Sequence, residues 1–311
     1  MHIHCDWTGL PASTRGASVA MGNFDGVHRG HRAVIDAARA AGEGRPLGVI
    51  TFEPHPREYF QPDAPPFRLM NPEARANRLA RLGVEHLYEL PFGPVLAGLT
   101  PEAFAADVLC AGLGVAHAAV GEDFRFGKGR AGDAASLEAL GRRHGFGTTI
   151  LPMIGNGQDR VSSTAIREAL AEGRPRDAEA MLGHWHRIEG PVLHGEKRGR
   201  TLGFPTANMD LTGLHLPRFG VYAVLVDILT GPRAGETHRG AASIGVRPTF
   251  GVNAPNLETF ILDFNGDLYD RHLSVALIEF LRPETSFLCA NQLIIQMEQD
   301  VAEARRILAG L

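Results

Sequence analysis

His28 and His31 stand three residues apart in the run Gly22-Asn23-Phe24-Asp25-Gly26-Val27-His28-Arg29-Gly30-His31, two imidazoles beside a turn rich in glycine. Ala17 to Met21 before the run is apolar and strand-like, whereas Ala33, Val34, Ile35, Ala37, Ala38 and Ala41 after it form a helical stripe. The run is therefore expected on a strand-to-helix turn, where unpaired N–H groups at a helix start attract phosphate oxygens. Glycines there let the main chain approach a nucleotide with no Cβ in the way. Two imidazole donors on one helix face can hold a phosphate while charge builds on it. The plain alternative is a pair of surface histidines after an ordinary turn. Zinc is a weaker reading, because no Cys or carboxylate stands at ligand spacing to complete a tetrahedral set.

Three other segments carry groups that suit phosphate and ring chemistry. In Val161-Ser162-Ser163-Thr164-Ala165-Ile166-Arg167, hydroxyls at a helix start supply caps and donors, and Arg167 adds a fixed charge one turn in. Alone, that segment is a plain N-cap with a solvated arginine. Gly121-Glu122-Asp123-Phe124-Arg125-Phe126-Gly127 reads either as a ligand loop, with stacking rings and Asp123 and Arg125 on polar edges, or as a capped loop over the core. The overlapping Gly127-Lys128-Gly129-Arg130-Ala131-Gly132 mimics a dinucleotide fingerprint, but no acidic residue ends the following strand, Thr148 to Met153, so no redox Rossmann site is expected.

Between His194 and Asn208 glycines alternate with basic residues, as a polyphosphate wrap or a solvated basic loop would have them. Pro205 forbids a helix into Phe204, and an extended Thr206-Ala207-Asn208 aims both oxygen-bearing side chains the same way. Such neutral oxygens suit a magnesium ion that keeps water and phosphate ligands. Period-two alternation along Leu257 to Phe264 puts Glu258 with Phe260, Leu262 and Phe264 on the expected core face and Asp263 on the other. That carboxylate either anchors backbone donors or takes a proton from a hydroxyl nucleophile. With no Walker A pattern in the chain, kinase chemistry here is of a class without a P-loop.

These groups need a scaffold, and the first half of the chain alternates strand-like and helix-like segments. Leu47 to Phe52, Ala116 to Val120 and Thr148 to Met153 read as strands; Pro72 to Leu82, Pro101 to Leu109 and Ser136 to His144 read as helices. The expected architecture is α/β, a parallel Rossmann-like sheet with ligands at the carboxyl ends of its strands. After Gly173-Arg174-Pro175 a short helix, Arg176 to Leu182, ends at Gly183. Beyond it the extended segments Gly220 to Leu229, Gly240 to Val246, Leu257 to Phe264 and His272 to Leu281 suggest a small antiparallel β-barrel. A closing helix, about Asn291 to Leu308, should pack on the barrel through Ile294, Met297, Val301, Ala304 and Leu308. Domains are thus expected over residues 1–183 and 184–311.

The whole chain is 311 residues with 44% hydrophobic content, enough for two cores, and 31 basic against 35 acidic residues give a net charge of -4. That balance offers no broad basic surface for nucleic acid, so anionic ligands must be held by local clusters. Cys5, Cys110 and Cys289 are scattered, as expected of inert packing thiols in a reducing compartment. No signal peptide or membrane-length apolar run is read, which points to the cytoplasm and to no membrane partner.

The pairing of Gly22 to His31 with Ser162 to Arg167 resembles the nucleotidyltransferase superfamily. The tRNA synthetases that share a His-x-Gly-His motif carry a Lys-Met-Ser-Lys-Ser loop where Ser162-Ser163-Thr164 stands here. With Thr51-Phe52-Glu53-Pro54-His55-Pro56, Gly121 to Asp133, Gly195 to Asn208, Gly220-Val221-Tyr222-Ala223, Ser243 to Thr249 and Leu257 to Tyr269, the chain resembles the prokaryotic bifunctional riboflavin kinase/FMN adenylyltransferases, or FAD synthetases, over nearly its whole length.

The resemblance implies an N-terminal nucleotidyltransferase domain and a riboflavin kinase barrel, with riboflavin, ATP, FMN, FAD, ADP and pyrophosphate as partners and magnesium as cofactor. It implies that His28 and His31 stabilise the α-phosphate while Ser162, Ser163, Thr164 and Arg167 hold the leaving pyrophosphate. Gly22, Asn23, Phe24, Asp25, Gly26 and Gly30 would surround one nucleotide, and Gly195, Lys197, Arg200, Thr201 and Gly203 the other. Phe52, Pro56, Asp123, Phe124, Arg125 and Phe126 would face the flavin, Thr206 and Asn208 the metal, and Glu258 would be the base. Asp270 stands where the family commonly has glycine, and Glu196 where aspartate is frequent. A flavin carrier without turnover and an adenylyltransferase for another small phosphate are the rival readings, and a homo-oligomer stays open.

Overall fold

The computed structural model describes residues 1–153, 161–194, 203–247 and 254–311. Two compact units form, Met1–Pro65 with Arg75–Val161, and Pro66–Ala74 with Ser162–Leu311. The first holds β1 (His2–His4), β2 (Ser18–Met21), β3 (Leu47–Glu53), β4 (His86–Pro91), β5 (His117–Gly121), a short antiparallel pair of β6 (Arg125–Phe126) and β7 (Gly132–Asp133), and β8 (Gly147–Leu151). Six of them make one parallel sheet in the order β1-β4-β3-β2-β5-β8. All of β2 and the first six residues of β3 are buried, as strands covered on both faces must be.

Strand order reverses between β2 and β5, so the loops that leave their carboxyl ends flank a topological switch point. The helix Arg29–Ala41 buries Val34, Ile35 and Ala38 and is fastened by Ser18 Oγ donating to Ala38 O at 2.6 Å. β1 and β4 fall outside the expected strands, and the helix expected over Pro101 to Leu109 is α-helical only at Pro101–Ala103, then π-helical over Phe104–Gly112. The false fingerprint Gly127 to Gly132 becomes the β6/β7 hairpin, with a tight turn at Lys128–Arg130.

The second unit holds β9 (Arg187–Pro191), β10 (Thr206–Asp210), β11 (Gly220–Ile228), β12 (Thr237–Arg247), β13 (Ala254–Ile261) and β14 (His272–Arg282). They pair antiparallel in the order β10-β13-β12-β11-β14-β9, and a bridge between Leu193 and Asn208 brings the two edges together into a nearly closed barrel. Tyr222, Val224, Leu257, Ile261, Val275 and Leu277 fill it. The last helix, Ala290–Leu308, packs Ala304 and Leu308 on Ala223, Ala241, Ala276 and Ile278, while Ile294, Met297 and Val301 are only half-buried. Helices Ser163–Ala171 and Pro175–Leu182 join this unit through Ile166, Ala169, Leu170, Ala178 and Leu182 around Leu69, and Arg218 N donates to Leu170 O at 2.9 Å. Among the described residues no helix is long and apolar enough to cross a membrane. Cys5 and Cys289 are exposed and not packed inside, and Cys110 is half-buried.

Candidate active sites

His28 is the N-cap of Arg29–Ala41, not a member of the helix, and its Nδ1 accepts from His31 N at 3.2 Å. The bond assigns the neutral ring's hydrogen to Nε2, leaving a donor. The imidazoles stack at 3.7 Å and 13°, and the Phe24 ring lies 5.0 Å from His31. A Cβ on Gly30 would lie 3.1 Å from His28 Nδ1 and Cε1, so glycine there leaves room for the ring. Burial, and then the neighbouring His28, hold His31 well below the ordinary histidine range, so it is neutral at pH 7. Its Nδ1 is buried with no hydrogen-bond partner among the described residues.

The turn that delivers the pair is strained. Phe24 (φ 52°) and Val27 (φ 43°) occupy the left-handed region with Gly26 (φ 85°), a conformation costly for a β-branched residue and concentrated at functional sites. Asp25 is buried and Asn23 exposed, with Asn23 O accepting from Thr51 Oγ1 at 3.1 Å. Gly22 extends the sheet by donating to Ile50 O at 3.1 Å.

The next strand ends bring aromatic rings to the same edge. Phe52 is the penultimate residue of β3, and its ring meets Phe92 edge-on at 5.7 Å. Tyr59 and Phe60, on a short helix that starts at Pro56 and is capped by His55, also meet Phe92 edge-on, at 5.5 and 5.7 Å. Phe60 is 65% exposed, an open apolar face. Phe124 and Phe126 stack at 5.7 Å beyond β5, and Arg125 pairs with Asp133 at 3.7 Å. The buried Arg75 bridges Glu53 of β3 at 2.9 Å and Glu89 of β4 at 2.7 Å. Tyr59, Phe60, Phe92 and Arg75 lie outside the expected set, for Phe92 follows the unexpected β4 and only His55-Pro56 signalled a helix start.

In the second unit Ser162 caps Ser163–Ala171 by accepting from Ala165 N at 3.2 Å, and Thr164 is exposed on the first turn. Arg167 Nε donates to Phe67 O at 2.6 Å, with the guanidinium 5.3 Å from the Phe67 ring centre.

In the barrel, Thr206 and Asn208 share the face opposite Ala207 and Met209, which point into the core. Asn208 stands opposite Glu258 in the β10/β13 register and Thr206 opposite Phe260. Glu258 is therefore not on the core face. The inward set is Leu257, Thr259 and Ile261, and alternation lapses at the buried Leu262 and the left-handed Asp263 (φ 54°), so Leu262 and Phe264 carried the wrong parity back to Glu258. Glu258 is half-buried, where Asn256 Nδ2 donates to Oε1 at 3.1 Å. Thr206 and Asn208 line a cavity of about 270 Å³ walled by Phe264, Leu268 and Tyr269. Gly203 is exposed with φ 87°. Gly195, Lys197, Arg200 and Thr201, with Glu196, lie outside the described residues.

A parallel sheet with a glycine-rich turn at its switch point, and an antiparallel barrel that carries Thr206, Asn208 and Glu258 on one face, define in one chain a two-part enzyme of phosphate chemistry. The FAD synthetase family matches residues 10–165 and the riboflavin kinase family residues 182–308. The chain is 42% identical to the bifunctional riboflavin kinase/FMN adenylyltransferase of Escherichia coli K12, covering 94% of this chain and 93% of that one. It is 43% identical to the Pseudomonas fluorescens protein of the same name, over 95% and 94%. A crystal structure described as a macrolide-efflux protein from Streptococcus pneumoniae superposes with a TM-score of 0.82, at 32% identity and 98% coverage of both chains. The chain belongs to the bifunctional riboflavin kinase/FMN adenylyltransferase family.

Proposed function

We propose that this chain makes FAD from riboflavin in two ATP-dependent steps, the kinase residing in residues 184–311 and the adenylyltransferase in residues 1–183. In the barrel the riboflavin 5′-hydroxyl attacks the γ-phosphorus of ATP. The new O–P bond forms as the bond to the β-phosphate oxygen breaks, Glu258 takes the hydroxyl proton, and FMN and ADP result. In the first unit a phosphate oxygen of FMN attacks the α-phosphorus of a second ATP, giving FAD and releasing pyrophosphate.

His28 Nε2–H and the helix-start N–H groups meet the charge that grows on the α-phosphate, and Ser162, Ser163, Thr164 and Arg167 hold the pyrophosphate. Phe52, Phe60, Phe92 and Phe124 give the isoalloxazine ring a stacking platform. The hard oxygens of Thr206 and Asn208 on one face, across from Glu258, fit magnesium. Bound with ATP, magnesium neutralises phosphate charge; Thr206 and Asn208 orient the γ-phosphate toward the hydroxyl. We place the enzyme in the cytoplasm, where ATP is made and where its free cysteines stay reduced.

The observation that carries this reading is the pairing of a stacked, desolvated imidazole couple at a sheet switch point with an oxygen-donor strand pair in a barrel, in one chain of this family. Purified protein given riboflavin, ATP and magnesium should yield FMN and then FAD by chromatography, and FMN with ATP should yield FAD. Unchanged riboflavin and unchanged FMN would overturn the reading.

A further inference from the structure

Pro66–Ala74 comes from the first half of the chain but is built into the second unit. Phe67, Arg68 and Leu69 are buried there, and Leu69 clusters with Ile166, Ala169 and Leu170 of the helix that carries Arg167. Phe67 grips Arg167 itself. Its carbonyl accepts from Arg167 Nε at 2.6 Å, and its ring centre lies 5.3 Å from the guanidinium. An arginine loses rotamer freedom when it holds an anion, and one already held at Nε and on its flat face has less to lose.

One residue ties both sides of that grip together. His215 N donates to Arg68 O at 2.8 Å, beside a parallel bridge between Arg68 and Leu214, and His215 Nε2 lies 2.9 Å from Arg167 O. A carbonyl oxygen can only accept, so the contact assigns a hydrogen to Nε2. The backbone does not need this bond. Arg167 lies inside Ser163–Ala171, where the helix ladder already brings its carbonyl a donor, so a residue without a donor at 215 would orphan nothing in the helix. What His215 adds is a fixed spacing between the Phe67 carbonyl and the Arg167 backbone, the two points between which the arginine side chain runs.

We propose that His215 is a positioning residue for adenylyl transfer, locking the Arg167 helix to the Phe67–Arg68 segment and so setting where the guanidinium meets pyrophosphate. The assignment rests on the reading above that Arg167 holds the leaving pyrophosphate. A guanidinium released from that frame must be ordered again each time the anion binds. Affinity for pyrophosphate, and for the same part of ATP, then falls while FMN is held as before.

The test compares the unaltered chain with His215→Leu, which has no donor, and with His215→Gln, whose amide N–H can stand in for Nε2–H. Adenylyl transfer is followed in both directions, as FAD formation from FMN and ATP and as ATP formation from FAD and pyrophosphate. Leucine should raise KM for pyrophosphate, and KM for ATP in FAD formation, by about three- to tenfold, the worth of one hydrogen bond. KM for FMN should not change, and glutamine should restore the other two. FMN formation from riboflavin by the same preparations should be unaltered, which reports that the second unit is folded. In an Arg167→Ala background the leucine change should add nothing to KM for pyrophosphate, because the group it positions is gone. An unchanged KM for pyrophosphate in His215→Leu, no rescue by glutamine, a fully additive effect on Arg167→Ala, or a parallel loss of FMN formation would overturn the assignment. If Arg167→Ala itself leaves KM for pyrophosphate unchanged, it is the pyrophosphate reading that fails, and the role of His215 falls with it.

Discussion

At the scale of single residues, the stacked imidazoles and Glu258 carry the sharpest expectations. The bond from His31 N sets the neutral tautomer of His28 with its hydrogen on Nε2, and neither ring has to desolvate at the moment of reaction. Replacing either by Ala should cost on the order of 2 to 4 kcal/mol in the adenylyl-transfer transition state, the usual loss for one such donor. Measured in parallel, FAD formation from FMN should collapse while FMN formation from riboflavin persists; equal loss of both would point to unfolding. Glu258 lies on the face of Thr206 and Asn208, not in the core, which suits a group that must meet a substrate. Glu258→Gln keeps volume and one acceptor oxygen, so riboflavin and ATP should still bind while kinase turnover falls steeply. Near-normal turnover would remove the base. Weakened riboflavin binding at preserved turnover would make Glu258 a substrate anchor.

Elements were legible where one physical signal dominated. β2, β3 and β5 read as strands because a sheet covered on both faces leaves near-continuous apolar runs, the edge strand β8 from its β-branched Thr148, Thr149 and Ile150, and Arg29–Ala41 read as a helix from its apolar spacing. β4 did not, since His86, Glu89 and Pro91 break its run and Arg75, from another element, neutralises Glu89. The parity of β13 failed for a local reason, a left-handed Asp263 that no periodicity can announce. The segments Gly22 to His31, Thr206 to Asn208 and Ser162 to Arg167 were visible because they join unusual residue types to turns, whereas Tyr59, Phe60 and Phe92 became candidates only once the chain was folded. The turn before β14 provides a stability test. Asp270 adopts φ 60°, where a Cβ is strained, and its N–H donates to Val192 O at 3.2 Å. Asp270→Gly relieves the strain and keeps that bond, so it should stabilise the barrel by about 0.5–1 kcal/mol in urea unfolding. A destabilised variant would show that the Asp270 side chain holds the turn.

At the scale of the whole molecule, acid stability and division of labour follow from where side chains are buried. His186 is 3% exposed just before β9, and burial, helped by His184 and His215, brings its pKa down to about 3. The unfolded chain binds that proton near pH 6.5 and the folded one does not, so between 6.5 and 3 the unfolded state holds more protons and stability falls as pH falls. His186→Leu should therefore lose less stability between pH 7 and 4 than the unaltered chain, by on the order of 3 kcal/mol in urea unfolding. Parallel curves would show that His186 protonates in the folded state. The two activities should also part with the chain. Residues 184–311 contain every described kinase group and the whole barrel, whereas Ser162–Leu311 also keeps Ile166, Ala169, Leu170, Ala178 and Leu182, the small core that packs beside it. Both fragments should convert riboflavin to FMN and neither should make FAD, because neither contains His28 and His31. The longer fragment should melt at the higher temperature, since its two helices bury apolar surface that the cut at residue 184 discards. A soluble, folded 184–311 fragment that cannot phosphorylate riboflavin would show that kinase chemistry needs more than the barrel, and recovery of activity in the Ser162–Leu311 fragment would place the missing part in those helices.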